Sequence, residues 1–441
     1  MITLFIFLAV LSVLVFVHEF GHFFVAKKAR LRVDEFGIGF PPRLIGIRKK
    51  NVILRESRAC GTTKDTAHKR TGFFTAFRMT NWEVVWGHPV RGKTPEASAD
   101  ALGHRTSNGV DPHAGGTLYS INLFPFGGFV RIKGESGNER LDQDSFASRG
   151  AGVRIMIAAA GVLMNALLAV VLIAAGYRLG FPQAISDQPS KYAQISDQHI
   201  EVMGVLPDSP AAQSGLNVGD RILAVGVASE TAALRELQNS EDFRNVTKEL
   251  VGESVTLVVE SDKVRREIQV TPKILEQTGK AGIGVAIVDA AIVRYPLWVA
   301  LPKAFETVGI LAKTIVVAFA DIVRDALLGR PVTAELAGPV GIAVLTGQAA
   351  RMGFVFLLQF IAILSINLAI LNVLPIPALD GGRILFILIE KLRRRPVAVK
   401  VEMMIQQISF VLLLLLIIFV TYRDLGRYGG RITEFFKNMV Q

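Results

Sequence analysis

The sequence predicts a polytopic α-helical membrane protein of about four transmembrane helices that also carries one small soluble α+β domain. Of the 441 residues, 51% are hydrophobic and only 20% are charged. Four apolar segments each approach the roughly 20 residues that a helix needs to cross a bilayer, and a more polar stretch between the second and the third alternates as paired strands do. The single cysteine, Cys60, excludes an internal disulfide framework and a cysteine-rich zinc site, and is expected to be an incidental free thiol.

The apolar segments define the predicted spans, which are Ile2–Ala26, Val153–Tyr177, Phe354–Leu374 and Ile405–Tyr422. The first resembles a signal peptide, but it has no basic n-region and no small-x-small cleavage site follows it. We therefore interpret it as a retained helix. A fifth segment, Leu297–Ala320, is interrupted by charges and has an amphipathic face, which favours an interfacial or packed helix over a span.

Basic residues predict which loops face the cytoplasm. Ten basic residues against three acidic ones lie between residues 27 and 60, and five more basic residues lie between 391 and 400. Both loops should be cytoplasmic by the positive-inside rule, whereas the net acidic segment 178–293 should lie outside. This arrangement requires that residues 297–320 do not cross. It also accounts for the net charge of +11 without a nucleic-acid partner.

The outer segment contains a predicted soluble domain at residues 195–290. Its run SPAAQSGLNVGDRIL (209–223) predicts a short helix with Ser209 as N-cap and a proline just inside. Residues 254–261 and 266–272 alternate as paired strands do. The pattern looks like a PDZ domain of the permuted type found in bacterial proteases, with another small α+β domain as the alternative. His199 of this segment is expected to be solvated.

Residues 51–118 differ from the rest of the chain. They are rich in Gly, Thr, Ala and Asn and have little apolar periodicity, which predicts a cytoplasmic insertion that is partly disordered. The irregular spacing of its histidines indicates solvated rather than metal-bound side chains; they are His68, His88, His104 and His113.

The motif HEFGH (18–22) lies within the first apolar segment. Residues i and i+4 share one face of a helix, so His18 and His22 can offer two imidazoles to one metal ion, and Glu19 can take a proton from a metal-bound water. Ionisable groups inside a membrane helix are costly and usually mark function. The alternative is a pair of helix-packing histidines beside a buried glutamate.

A catalytic zinc site needs a third protein ligand and one open position. The run NLAILNVLPIPALDGGRILF (367–386) supplies a candidate, because its prolines break the third span and Asp380 follows at the predicted cytoplasmic end. That end is on the same side as the histidine pair. The alternative for Asp380 is an N-cap for a helix that starts near Gly382.

Together these motifs resemble the site-2 protease family of intramembrane zinc metalloproteases. The chain has HEFGH in its first membrane helix, N-x-x-P-x-P-x-L-D-G-G in a later one and a PDZ-like domain between them. It is most similar to the bacterial branch that cleaves anti-sigma factors, over nearly the whole chain except residues 51–118. The resemblance implies about four transmembrane helices, membrane re-entrant β elements and one extracytoplasmic PDZ domain.

The resemblance also implies a role for each motif residue. It implies that His18, His22 and Asp380 bind one Zn²⁺ per chain, and that Glu19 acts first as general base and then as general acid. Asn372 is implied to contact the substrate backbone, with an interhelical hydrogen bond as the alternative.

Further substrate contacts are implied on the second span and on two strand-like segments. Asn165 matches the asparagine of the family's G-P-x-x-N motif, although Val162 replaces its proline. Residues 34–47 and 117–135 are similar to the family's re-entrant β elements, whose edge can pair with an extended substrate. Gly127 and Gly128 are expected to allow close backbone approach there. The alternative is an amphipathic hairpin at the membrane surface.

The predicted function is hydrolysis of peptide bonds within or near transmembrane segments, in regulated intramembrane proteolysis of anti-sigma factors or remnant signal peptides. The protein is expected in the bacterial inner membrane, with its active site toward the cytoplasm and a PDZ domain outside that binds a peptide or a substrate ectodomain. The alternatives are a catalytically inactive scaffold that presents a PDZ domain, and a transporter. Intact Glu19 disfavours the scaffold, and the lack of an inverted repeat disfavours the transporter.

The predicted domain order follows from these boundaries. It is 1–50 for the first helix and β element, 51–118 for the insertion, 119–180 for the second β element and helix, 195–290 for the PDZ domain, 291–350 for an amphipathic region, and 351–441 for the last two helices.

Overall fold

The computed structural model describes residues 2–50, 81–86, 116–135, 141–185, 191–227, 235–237, 239–261, 264–275, 279, 281–330 and 337–440. Most of the predicted insertion at 51–118, including Cys60 and its four histidines, lies outside the described residues. The chain divides into two compact units. The first comprises Met1–Ala169 and Val308–Gln441, and the second comprises Val170–Thr307.

Helices account for most of the described residues of the first unit, and two short helices, Pro210–Gln213 and Ser240–Glu249, lie in the second. In chain order the α-helices are α1 (Ile2–Lys28), α2 (Ala151–Leu179), α3 (Pro210–Gln213), α4 (Ser240–Glu249), α5 (Leu297–Leu327), α6 (Pro339–Met352), α7 (Phe354–Val373), α8 (Asp380–Arg393) and α9 (Val399–Val440). A 3₁₀ turn, Phe146–Ser148, precedes α2.

Four of these helices are long and apolar enough to cross a membrane. They are α1, α2, α7 and the Val399–Arg427 portion of α9, and each agrees with a predicted span to within a few residues at its ends, except that α9 starts earlier and extends further. Helix α5 is not among them, which agrees with the prediction that this amphipathic segment is not a span. Helix α2 continues without a break through Val162, where the family motif has proline.

The strands are β1 (Val33–Lys50), β2 (Asn81–Trp86), β3 (Leu118–Ile132), β4 (Phe181–Ala184), β5 (Gln194–Val205), β6 (Arg221–Val227), β7 (Arg235–Glu236), β8 (Val255–Ser261), β9 (Val264–Val270), β10 (Lys273–Ile274), β11 (Ala281–Gly282) and β12 (Val285–Arg294). In the first unit they form one sheet of order β2-β1-β3. The two predicted β elements, 34–47 and 117–135, are therefore paired, with register shifts along their length.

Strands β1 and β3 meet twice, because each bends back on itself. Gly37 of β1 lies opposite both Phe129 and Ser120 of β3. The sheet interior contains a buried ion pair in which the Glu35 carboxylate accepts from Arg43 Nη2 at 2.7 Å and from Ser120 Oγ at 2.8 Å. A buried charge is tolerated when it is paired and hydrogen-bonded, so this network ties the two halves of β1 to β3.

The second unit is built on a seven-stranded sheet of order β4-β12-β5-β6-β8-β9, with β7 paired to β6. Alternate side chains of β8 are buried, and Val255, Leu257 and Val259 have no exposed surface. The predicted strand pair is confirmed as β8 and β9. Ser209 caps α3 as predicted, because its Oγ accepts from the Ala212 N–H at 3.3 Å.

His199 differs from its prediction. The side chain is only 7% exposed, rather than solvated. Its Nδ1 donates to the Asp197 carbonyl oxygen at 2.7 Å, and its Nε2 lies 3.8 Å from the Glu201 carboxylate. The Glu201 carboxylate raises the pKa of His199, an effect that partial burial opposes. These two acceptors, on either side of His199 in β5, account for the low exposure of its ring.

Candidate metal centre

The structure brings His18, His22 and Asp380 together. Their nearest ligand atoms all lie within 4.8 Å of one another. Oδ2 of Asp380 is 2.9 Å from Nε2 of His18 and 3.4 Å from Nε2 of His22, and the two Nε2 atoms are 3.2 Å apart. Both histidines are buried, and the Asp380 side chain is 13% exposed. Two imidazoles and one carboxylate therefore converge on one small volume.

A tight turn between α7 and α8 delivers Asp380 to the histidines. The chain leaves α7 after Val373 and re-enters a helix at Asp380. A Cβ at Gly381 or Gly382 would collide with backbone atoms of residues 373–377, so only glycine fits at these two positions. Asp380 is itself the first residue of α8, preceded by Leu379 as N-cap. The alternative that Asp380 caps a helix starting near Gly382 is thus wrong.

The hydrogen bonds of His22 fix which nitrogen faces the centre. Nδ1 of His22 lies 2.7 Å from the carbonyl oxygen of Ile157 and must donate to it. In the neutral imidazole, Nε2 of His22 then carries a lone pair toward Asp380. A carbonyl partner of this kind is the usual way in which a metal-binding histidine is oriented.

Asn165 orients His18 in a similar way. The side chain of Asn165 is fully buried, and its Nδ2 lies 3.3 Å from Nδ1 of His18, while its Oδ1 has no partner among the described residues. Rotating the amide by 180° lets Oδ1 accept from an Nδ1–H of His18. Nε2 of His18 then also carries a lone pair toward the centre.

The geometry fits a metal ion. Oδ2 of Asp380 is buried and accepts no hydrogen bond among the described residues, although nitrogen lone pairs lie within 3.4 Å of it. Converging lone pairs repel unless a cation lies between them. Gly161 of α2 leaves the space open, because a Cβ there would lie 2.8 Å from Nε2 of His18 and closer to Nε2 of His22. Two nitrogens and one oxygen form a common donor set for catalytic zinc.

Glu19 lies in the same cavity as these three residues. The cavity has a volume of about 380 Å³. Oε2 of Glu19 accepts a hydrogen bond from the Val130 N–H of β3 at 3.2 Å. Asn372 also lines the cavity, and its Nδ2 lies 3.3 Å from Nε2 of His18. The arrangement places a proton acceptor beside the candidate metal position.

The other predicted substrate-binding residues do not line this cavity. Asn165 is fully buried and contacts Nδ1 of His18. Gly127 and Gly128 are buried in β3, whereas Phe129 and Val130 line the cavity. Gly127 has a φ of +79° and Gly128 packs with its Cα hydrogen facing the Gly37 carbonyl, since a Cβ would come within 3.0 Å of that oxygen.

Two charged residues of the cavity were not predicted from the sequence. Glu135, just after β3, and Arg383 of α8 both line it and form an ion pair with each other. Arg383 follows Asp380 by three residues, so helical spacing could have placed both on one face. The sequence holds no comparable signal for Glu135.

Comparison with known proteins identifies the family. The model of Peptidase family M50 matches residues 6–55 and 101–416, most of the chain. The chain belongs to peptidase family M50. The unmatched residues 56–100 fall within the predicted insertion at 51–118.

Curated relatives agree over nearly their full length. The chain is 28% identical to the regulator of sigma-W protease RasP of Bacillus subtilis, with 96% of this chain and 98% of that protein covered. It is 30% identical to the zinc metalloprotease RasP of Bacillus licheniformis, with 96% and 99% covered. This member of family M50 is accordingly a zinc metalloprotease of the membrane.

Among solved structures, the chain is similar to the PDZ domain of an SdrC-like protein from Listeria innocua. The identity is 22%, the TM-score is 0.17, and the similarity covers 20% of this chain and 92% of that one.

Proposed function

We propose that His18, His22 and Asp380 hold the zinc ion of this protease and that Glu19 is its general base. The observation that carries the proposal is the convergence of three buried ligand atoms within 4.8 Å, with a carboxylate oxygen that has no hydrogen-bond donor among the described residues. A site of this kind on α1 and α8 leaves room for a fourth, exchangeable position.

The chemistry divides between the metal and the chain. Bound zinc supplies a Lewis acid that polarises the scissile carbonyl and lowers the pKa of a water molecule. Glu19 takes a proton from the attacking water as its oxygen adds to the carbonyl carbon. The same carboxylic acid then gives that proton to the leaving nitrogen as the C–N bond breaks. The Val130 N–H holds the carboxylate for both transfers.

Asn372 is proposed to contact the substrate and Asn165 to act through His18. Asn372 lines the cavity beside the ligands, where its amide can reach a peptide group. Asn165 is fully buried, which suits a residue that fixes the orientation of an imidazole. Gly127 and Gly128 are proposed to shape the β3 strand so that an extended substrate segment can approach its backbone.

Membrane proteins are the proposed substrates. A relative carries the name regulator of sigma-W protease, so anti-sigma factors and remnant signal peptides are the classes we propose first. A peptide bond inside a transmembrane helix is shielded until that helix unwinds, and an extended strand then needs backbone partners. We propose that β1 and β3 are membrane re-entrant elements that supply them.

The topology of the chain is proposed from its charges. The basic loops at 27–60 and 391–400 favour a cytoplasmic position, and the segment 178–293 favours the outside of a bacterial inner membrane. The domain order predicted above is retained, with helix α5 lying on the membrane.

We propose that residues 195–290 form a permuted PDZ domain. A groove of about 760 Å³ lies between α4 and the β11–β12 segment. Apolar side chains such as Phe243 and Ile283 line it, together with the cations Arg244 and Lys248. The groove suits a peptide or part of a substrate ectodomain. Deleting residues 200–275 should increase cleavage of untrimmed substrates if the domain is a size filter, and should decrease all cleavage if it recruits substrates.

The Glu19→Gln variant tests the proposed function. It should keep about one zinc per chain, because its ligands are intact, and it should accumulate uncut membrane proteins. Quantitative proteomics of membranes that contain wild type or Glu19→Gln would identify the substrates. Cleavage by Glu19→Gln at the wild-type rate would reject the role of Glu19. If the wild type itself cleaves nothing, the catalytically inactive PDZ scaffold becomes the better account.

A further inference from the structure

An ion pair joins the two elements that flank the candidate zinc site. Arg383 lies on α8 three residues after Asp380, and its Nη1 atom donates to Oε1 of Glu135. Glu135 follows the last residue of β3 by three positions, so the pair connects the end of that strand to the start of α8. Both side chains line the cavity that contains Glu19.

The pair completes a ring of contacts around this cavity. The Glu19 carboxylate accepts from the Val130 N–H at 3.2 Å, so the position of β3 determines the position of the carboxylate. Strand β3 is connected through Glu135 to Arg383. Helix α8 returns to α1 through Asp380, which contacts the histidine pair at 2.9 and 3.4 Å. Breaking the pair would open the ring between the base and the metal ligands.

We propose that Glu135 and Arg383 are positioning residues that hold the Glu19 carboxylate at its working distance from the metal ligands. This inference rests on the zinc peptidase site proposed above. Proton transfer depends on alignment, and a misplacement of about 1 Å costs roughly 100-fold in rate. The guanidinium of Arg383 is already paired with a carboxylate, which suits a structural link better than a binding site for an acidic substrate group.

A second ion pair on the same helix offers a matched control. Arg154 of α2 donates to Glu390 of α8 at 2.5 Å, and Glu390 also accepts from the Val397 N–H at 3.2 Å. This pair anchors α8 at Glu390, about two helical turns after Arg383. Its members are not among the residues that line the cavity of Glu19. It separates general anchoring of α8 from positioning of the base.

The experiment compares variants of the full chain in proteoliposomes. The probe is a single-span model protein whose leucine-alanine helix contains a central Gly-Pro pair. The variants are Arg383→Gln, Arg383→Lys, Glu135→Gln, the charge reversal Glu135→Arg with Arg383→Glu, and Arg154→Gln. For each variant, kcat is measured per bound zinc, and KM and the thermal midpoint are measured as well.

The two variants that remove one charge should lower kcat roughly 10- to 100-fold while KM changes less than about twofold. Zinc should stay at about one per chain, because the ligands are untouched. Arg383→Lys should be intermediate, since lysine keeps the charge but not the fork of donors. The charge reversal should recover at least about tenfold of the loss. Arg154→Gln should lower thermal stability and keep kcat.

Several results would overturn the positioning role. These are an unchanged kcat in Arg383→Gln, an equal loss in Arg154→Gln, loss of zinc from both Arg383 variants, or no recovery on charge reversal. If the wild type cleaves neither the model protein nor the proteins that accumulate with Glu19→Gln, the zinc peptidase proposal fails as well. A failure of the positioning role alone leaves wild-type cleavage intact, so the two failures are distinguishable.

Discussion

Replacing Gly161 by alanine should close the space that the metal needs. A Cβ at this position would lie 2.8 Å from Nε2 of His18, whereas ordinary contact begins at 3.4 Å. The nearest atom of the His18 ring is Cε1 at 2.7 Å, so that ring must move by about 0.7 Å, and the His22 ring by more. Ligand distances in a zinc site tolerate only about 0.2 Å. We expect zinc affinity to fall at least about 10- to 100-fold, or roughly 1.4–2.8 kcal/mol.

The assay is zinc retained after dialysis against graded concentrations of a competing chelator, measured by mass spectrometry on detergent-purified protein. Gly152→Ala is the matched control, because it lies on the same helix and its added Cβ meets nothing within 4 Å. That variant should keep full zinc and be neutral or slightly more stable, since alanine is favoured over glycine in helices.

The expected combination for Gly161→Ala is lost zinc with an unchanged helical circular dichroism spectrum. Wild-type zinc affinity together with wild-type cleavage would refute the reasoning, because the imidazole nitrogens could not then face the surface of α2 at Gly161 as the structure has them.

The remaining predictions concern stability. Because the pKa of His199 is raised in the folded protein, its stabilising contribution is present below the unfolded pKa of about 6.5 and is lost as pH rises through the folded value. His199→Gln should therefore lower the thermal midpoint at pH 5.5 but hardly at pH 8.5. An equal loss at both pH values would contradict this. Leu257→Ala should cost about 2–5 kcal/mol in chemical unfolding, and Val264→Ala, on an exposed position of the neighbouring strand, less than about 0.5. Asp424→Ala should cost about 1–3 kcal/mol because it leaves the buried Gly341 N–H unpaired, and Asp424→Asn should cost less; equal thermal midpoints for the wild type and Asp424→Ala would count against that contact.

Much of the fold could be predicted from local patterns. Apolar run length predicted the four long helices because bilayer thickness sets that length, and strand alternation predicted the pairing of β8 with β9. The spacing of His18 and His22 placed both on one face of α1, since four residues are close to one helical turn. The break at Pro375 and Pro377 then indicated that the third span ends before Asp380.

What the sequence could not supply are contacts that depend on how separate elements pack. Gly21 of α1 has the Ala160 carbonyl where a Cβ would lie, so the close approach of α1 and α2 depends on missing side chains at both Gly21 and Gly161. No periodicity marks such positions. The same holds for Glu135, whose partner is far away in the chain.

The ligands of the proposed zinc site lie far apart in the sequence. His18 and His22 leave the ribosome in the opening helix, whereas Asp380 is translated 358 positions after His22 and only becomes available once α7 and α8 have been synthesised. A nascent chain therefore has at most two of the three ligands for most of its biosynthesis. The proposed metal site can therefore form only after α8 has been synthesised.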